Sequence, residues 1–189
     1  MARRAGYHHG DLAAAAIDEA LRLVESGEGA GFSLRALAER LGVAHRALYN
    51  HFATREALLA AIAARGFAQL AEALAPAPDP AAFLGAYVRF ALARPGLYDV
   101  MTKRSYEQIN ASPDLRSAID RVIAIALGVL AVPGTDEDTR RRAVMRVWML
   151  AHGGIGLHRA GMLRLRSDSD FAEEILHIAG LAPIKETRP

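Results

Sequence analysis

Apolar residues recur at spacings of three and four along almost the whole chain, and no run alternates apolar and polar β-branched residues. That pattern calls for helices and leaves no strand to build a sheet from. Ala13, Ile17, Ala20, Leu21 and Val24 form one such stripe, which predicts a first helix over residues 10–26 with Gly27 as its stop. Ser33 stands where an N-cap belongs, and Leu34, Leu37, Ala38 and Leu41 keep the spacing of a short amphipathic helix that Gly42 closes. A second short helix follows within "GVAHRALYNHF", residues 42–52. Thr54 caps a longer one, which runs to about residue 74 and stops before the linker "PAPDP".

Beyond the linker the same periodicity predicts a helix over residues 81–93, stopped by Pro95-Gly96, and a short one through Tyr98 and Met101. Ser112 caps another over 113–131. A long helix starts from a cap at Thr135 with an acidic first turn and reaches about residue 162; a last one spans 168–180. The expectation is an all-α chain of about nine helices. An N-terminal three-helix helix-turn-helix unit (1–58) joins a larger C-terminal helical bundle (59–182), with a short tail (183–189).

Composition removes several kinds of function. There is no Cys, so disulfides, zinc-thiolate sites and thiol nucleophiles are excluded. No Ser-His-Asp order and no Gly-rich phosphate loop is present, so no enzyme and no cofactor is expected. An enzyme built on His152 is the weakest of the competing readings. With no apolar run near the ~18 residues of a spanning helix, the expectation is a cytoplasmic chain without a membrane partner. His8-His9 with Asp11 has donors that could hold a metal, but neighbouring histidines near a terminus fit solvation, or a track along DNA with Arg3 and Arg4; no metal site is expected. A net charge of +2 says little about partners. Residues 33–55 say more, because Arg35, Arg40, Arg46 and Arg55 face only Glu39 there.

Those residues contain the chain's most informative helix. At 100° per residue, Ala44, Leu48 and Phe52 share one side, while His45, Arg46, Tyr49 and Asn50 occupy the opposite arc. Two short helices joined by a tight Gly-containing turn, the second showing hydrogen-bonding side chains outward, form a helix-turn-helix. In a major groove, Arg grips guanine bidentately and Asn grips adenine. The alternative is a helical small-molecule-binding protein without DNA activity, and retardation of DNA in a gel separates the two.

"GFSLRALAERLGVAHRALYNHFATREALL", residues 31–59, resembles the DNA-binding module of the TetR family of bacterial repressors, above all in "LYNHF" followed by "TREALL". "YHHGDL" is similar to members of one branch. "ARPGLYDVM" and "VWMLAHGG" resemble the branch marked by a Trp-His-Gly pattern, although Trp148 and His152-Gly153 stand apart here. The resemblance implies a homodimer that covers double-stranded operator DNA until a small ligand releases it. It also implies roles: Ser33, Tyr49, His51 and Arg55 on phosphates, and Arg35, His45, Arg46 and Asn50 on bases, with the Ala47 methyl suited to thymine. His51 lies nearer the core side of the wheel, so a structural role competes with phosphate contact. Ala44 stands where the family often has Ser or Thr, and Arg55 replaces the usual Lys.

The C-terminal half suggests two further sites. Met145, Trp148, His152 and Ile155 share one arc of the long helix, and Phe83, Tyr87 and Phe90 share one face of the helix after the linker, with Met101 near in sequence. Together they are expected to line an apolar, aromatic pocket for a small, largely apolar ligand; a filled core is the alternative. Leu150, Gly153, Gly154, Leu157 and Gly161 share another face of the long helix, where small residues would admit a second helix closely. With Phe171 and Ile175 of the last helix they are the expected dimer interface, unless these glycines pack within one subunit.

Overall fold

A computed structural model describes residues 9–27, 32–131 and 133–181. Arg3, Arg4 and His8 lie outside the described residues, as does the tail, and the side chains of His9 and Asp11 are not described. Ten helices and no strand occur among the described residues, in the order α1 (His9–Glu25), α2 (Leu34–Arg40), α3 (His45–Tyr49), α4 (Arg55–Leu74), α5 (Pro80–Ala93), α6 (Pro95–Thr102), α7 (Tyr106–Asn110), α8 (Pro113–Leu130), α9 (Glu137–Arg159) and α10 (Asp168–Ile178). The all-helical class is as expected, with one helix more. The addition is α7, whose Ser105 and Gln108 satisfy each other's backbone N–H groups in a capping box.

Most predicted caps are in place. Ser33 accepts the Ala36 N–H at 3.1 Å, and Thr54 accepts that of Ala57 at 3.1 Å. The cap of α9 is one residue later than expected: Asp136, not Thr135, accepts the Thr139 N–H at 2.9 Å. The Thr139 hydroxyl and N–H both stabilise that carboxylate, lowering its pKa. At its other end α9 stops at Arg159, where Gly161 takes φ +68°. Gly161 is therefore a turn residue that ends the helix, rather than part of a packing face.

The chain divides into two compact units. Among the described residues, one holds those up to Phe67 together with Arg94–Ala118; the other holds Ala68–Ala93 and those from Ile119 onward. In the first, α1 packs on α2, α3 and α6 around Leu23, Leu34, Leu37, Leu48, Leu58, Ile62 and Leu97. Glu19 is only 8% exposed and accepts Arg40 Nε at 3.0 Å, while Arg22 pairs with its other oxygen. Asp18 on α1 pairs with Arg65 on α4. Two glycines let α6 settle. A Cβ on Gly96 would lie 2.3 Å from the Val24 carbonyl oxygen, and one on Gly66 would lie 2.6 Å from Met101 Sδ. Met101, expected in a ligand pocket, is instead buried in this unit against α4.

In the second unit α5, α9 and α10 pack mutually, burying Phe83, Leu84, Tyr87, Val88, Ala151, Ile155, Phe171 and Ile175. The α9–α10 corner is tied by His158 Nε2, 2.8 Å from Asp168 Oδ1, with the imidazole stacked on Phe171 at 4.5 Å between centroids. One described helix, α4, is long and apolar enough by length and composition to cross a membrane, which the sequence reading did not anticipate. Half of its apolar window is buried within the protein, through residues such as Leu58, Ile62, Leu70 and Leu74, so core packing accounts for its composition.

Candidate nucleic-acid interface

The turn between α2 and α3 is built by Gly42. Its φ of +66° suits a residue without Cβ, and the Gly42 and Val43 N–H groups return to the Glu39 and Ala38 carbonyls. Ala44 then stands at the N-cap of α3 with no side-chain hydrogen bond, as its methyl group dictates. Leu48 is fully buried and Phe52 nearly so, which anchors one side of α3 and fixes what the other side shows. Arg46, Tyr49 and Asn50 are exposed; His45 and Ala47 are half-buried. His51, ambiguous on the helical wheel, is exposed.

Ser33, Tyr49, Thr54 and Arg55 line an open cleft of about 510 Å³ together with Phe32, Leu34 and Ala53. Three of the four expected phosphate-holding residues thus converge, and Thr54 joins them. Hydroxyl groups and a guanidinium around an open cleft can donate several hydrogen bonds to one anion. Arg55 also has an internal task. Its Nε donates to the Phe32 carbonyl at 2.9 Å, and its guanidinium lies 5.1 Å from the Phe32 ring centroid. It ties the start of α4 to the lead-in of α2.

Two residues near this surface carry no role in the sequence pattern. Arg104 follows α6 and donates Nε to the Val100 carbonyl at 3.2 Å. Burial first, then the positive charge of Arg55, lower its pKa, while Glu56 raises it; Arg104 thus brings a second guanidinium near the start of α4. The other is Glu39, whose carboxylate accepts Arg35 Nε at 3.2 Å and lies 3.5 Å from His45 Nε2. An i, i+4 spacing on α2 could have suggested the first contact, but the second crosses the turn.

The expected ligand-pocket residues do not all come together. Phe83, Tyr87 and Ile155 are buried and Phe90 is half-buried, but Met145, Trp148 and His152 are exposed on α9. Trp148 and His152 stack on each other at 5.8 Å. The expected dimer face divides too. A Cβ on Gly154 would meet Ile175 Cδ1 at 2.9 Å and Phe171 Cζ at 3.3 Å, so Gly154, Phe171 and Ile175 pack within one chain. Gly153 has open space, Leu150 is half-buried and Leu157 is 43% exposed. No cluster of three or more metal-ligating side chains occurs among the described residues.

Comparison with known proteins converges on one family. Residues 16–62 match the family model "Bacterial regulatory proteins, tetR family", and residues 80–178 match "Tetracyclin repressor-like, C-terminal domain". Neither description names a Trp-His-Gly branch. An uncharacterized HTH-type transcriptional regulator, YobS of Bacillus subtilis (strain 168), is 29% identical, over 72% of this chain and 73% of that protein. A solved protein of unknown function from Rhodococcus sp. RHA1 is 30% identical with a TM-score of 0.74, covering 95% of this chain and all of that one. A TetR transcriptional regulator from the same organism is 19% identical with a TM-score of 0.64, over 94% of this chain and all of that one. The helix-turn-helix with its outward donors and the helical C-terminal half are thus parts of one known plan: the chain belongs to the TetR family of DNA-binding transcriptional regulators.

Proposed function

We propose that this protein is a ligand-responsive repressor that binds a palindromic operator in double-stranded DNA as a homodimer, acts in the cytoplasm and is released by a small, largely apolar inducer. The observation that carries the reading is α3: buried on Leu48, exposed at Arg46, Tyr49 and Asn50, and held at a fixed turn from α2. Arg46 would take guanine, Asn50 adenine and Ala47 a thymine methyl, with Arg35 and His45 beside them. Ser33, Tyr49 and Arg55 would seat one backbone phosphate in their shared cleft, and His51 another.

A second copy would cover the exposed side of α9. Met145, Trp148, Met149, His152 and Gly156 fall within about 100° of arc, and Trp148 and Met149 are 44% and 62% exposed. Asp138 and Arg159 close that arc at its two ends. An antiparallel copy related by a two-fold axis near Trp148-Met149 would set Asp138 of each chain toward Arg159 of the other, a self-complementary match. The ligand would then occupy the inward side of the second unit, lined by Phe83, Tyr87, Phe90 and Ile155. An inducer that binds better to the conformation unfit for the operator shifts the population away from DNA.

Gel retardation of the DNA upstream of the protein's own gene tests this reading. The protein should retard it in preference to shuffled DNA, and Arg46→Ala should cost roughly 1–3 kcal/mol while relaxing preference at one symmetric position per half-site. Equal binding of both DNAs by the unaltered protein would refute operator recognition.

A further inference from the structure

Glu39 is the one acidic residue within 33–55, a stretch otherwise rich in arginine. A carboxylate here repels phosphates, and its contacts do not account for it through stability. The side chains of Arg35, Glu39 and His45 are 73%, 60% and 43% exposed, and ion pairs so open to water contribute little. What the geometry does is gather two donors onto one oxygen. Glu39 Oε1 accepts Arg35 Nε at 3.2 Å from within α2 and lies 3.5 Å from Nε2 of His45, the first residue of α3.

We propose that Glu39 is a positioning residue for base readout, holding Arg35 and His45 in the orientations that meet base edges. The inference rests on the operator-binding reading above. With Nε occupied, Arg35 keeps its two terminal amino groups for the O6 and N7 acceptors of guanine. Where the His45 proton sits on Nε2, toward the carboxylate, Nδ1 is left as an acceptor for the exocyclic amine of adenine or cytosine. Long exposed side chains lose rotamer freedom when they bind, and a fixed partner removes part of that loss beforehand. Repulsion between Glu39 and DNA weakens every sequence alike, whereas the ordering helps only the sequence that presents the right edges. Only the ordering raises discrimination, while the repulsion lowers affinity for random DNA and operator together.

The test measures dissociation constants for the operator, for each single-base variant of one half-site and for random DNA. The proteins are the full-length chain, Glu39→Ala, Arg35→Ala and the double variant. Glu39→Ala should bind random DNA more tightly and lose roughly tenfold in discrimination at the base position that Arg35→Ala also relaxes. At that position the double variant should discriminate no worse than Arg35→Ala alone, because there the carboxylate acts through the guanidinium. An equal gain for all sequences would mean that Glu39 only repels DNA, and fully additive losses would mean that it acts apart from Arg35; either overturns the proposal. Absence of sequence preference in the unaltered protein would instead refute operator recognition itself, and this proposal with it. Unchanged melting temperatures keep misfolding out of the comparison.

Discussion

Trp148→Asp should convert the protein to a monomer whose operator affinity is lower by roughly 10²–10⁴-fold. Trp148 lies 44% exposed midway along the length of α9, so a carboxylate there leaves a single chain's fold nearly untouched. In the proposed dimer the same carboxylate would be buried beside its own copy across the two-fold axis, where two like charges without a partner cannot persist. One reading head alone then holds half a palindrome, and the gain from linking two heads is lost. Sedimentation and gel retardation read the two effects. Gly154→Leu gives the contrast: its side chain would strike Ile175 and Phe171 of the same chain, so a lower melting temperature should precede any loss of assembly. A Trp148→Asp variant that sediments as a dimer would move the interface off this face of α9.

The second large effect is expected at Gly96. A Cβ there would lie 2.3 Å from the Val24 carbonyl oxygen and 2.9 Å from its carbon, and both are backbone atoms that no rotamer change can move. Gly96→Ala should therefore force α6 away from the end of α1 and weaken the contact in which Glu25 Oε1 accepts the Leu97 N–H at 3.2 Å. Overpacking of this kind costs about 3 kcal/mol or more where the neighbour cannot yield. At Gly66 the obstacle is the flexible end of Met101, so Gly66→Ala should cost about 1 kcal/mol. Gly153 is helical with open space around it, and Gly153→Ala should stabilise by about 0.5–1 kcal/mol. Denaturant unfolding ranks the three. An equal cost at Gly96 and Gly66 would contradict the difference drawn between backbone and side-chain obstacles.

The reading head was legible because its signals are local. Ser33 caps, Gly42 turns and the spacing of Leu34, Leu37 and Ala38 faces inward, and each follows from a few neighbouring residues. The faces of α9 were less so. A helical wheel separates Trp148 from Gly154 but carries no sign, so it does not say which side turns toward α5 and α10. The large aromatic residue looked like lining and the small ones like a seam between subunits. In the chain, Gly154 is small because Phe171 and Ile175 press on it, and Trp148 stands in the open. Pairing across the turn, as between Glu39 and His45, and the return of α6 to the first unit depend on the folded backbone and leave no periodic trace.

Footprinting of the protein on the DNA upstream of its own gene tests the central claim most directly. The account predicts two protected patches related by a two-fold axis, on one face of the duplex and separated by whole helical turns, with contacts that weaken steeply as salt rises. Arg46→Ala should lose protection at one symmetric base pair in each patch while the phosphate contacts around it persist. No protected segment, or protection that drifts along the DNA without symmetry, would contradict a dimeric reader of a palindromic operator.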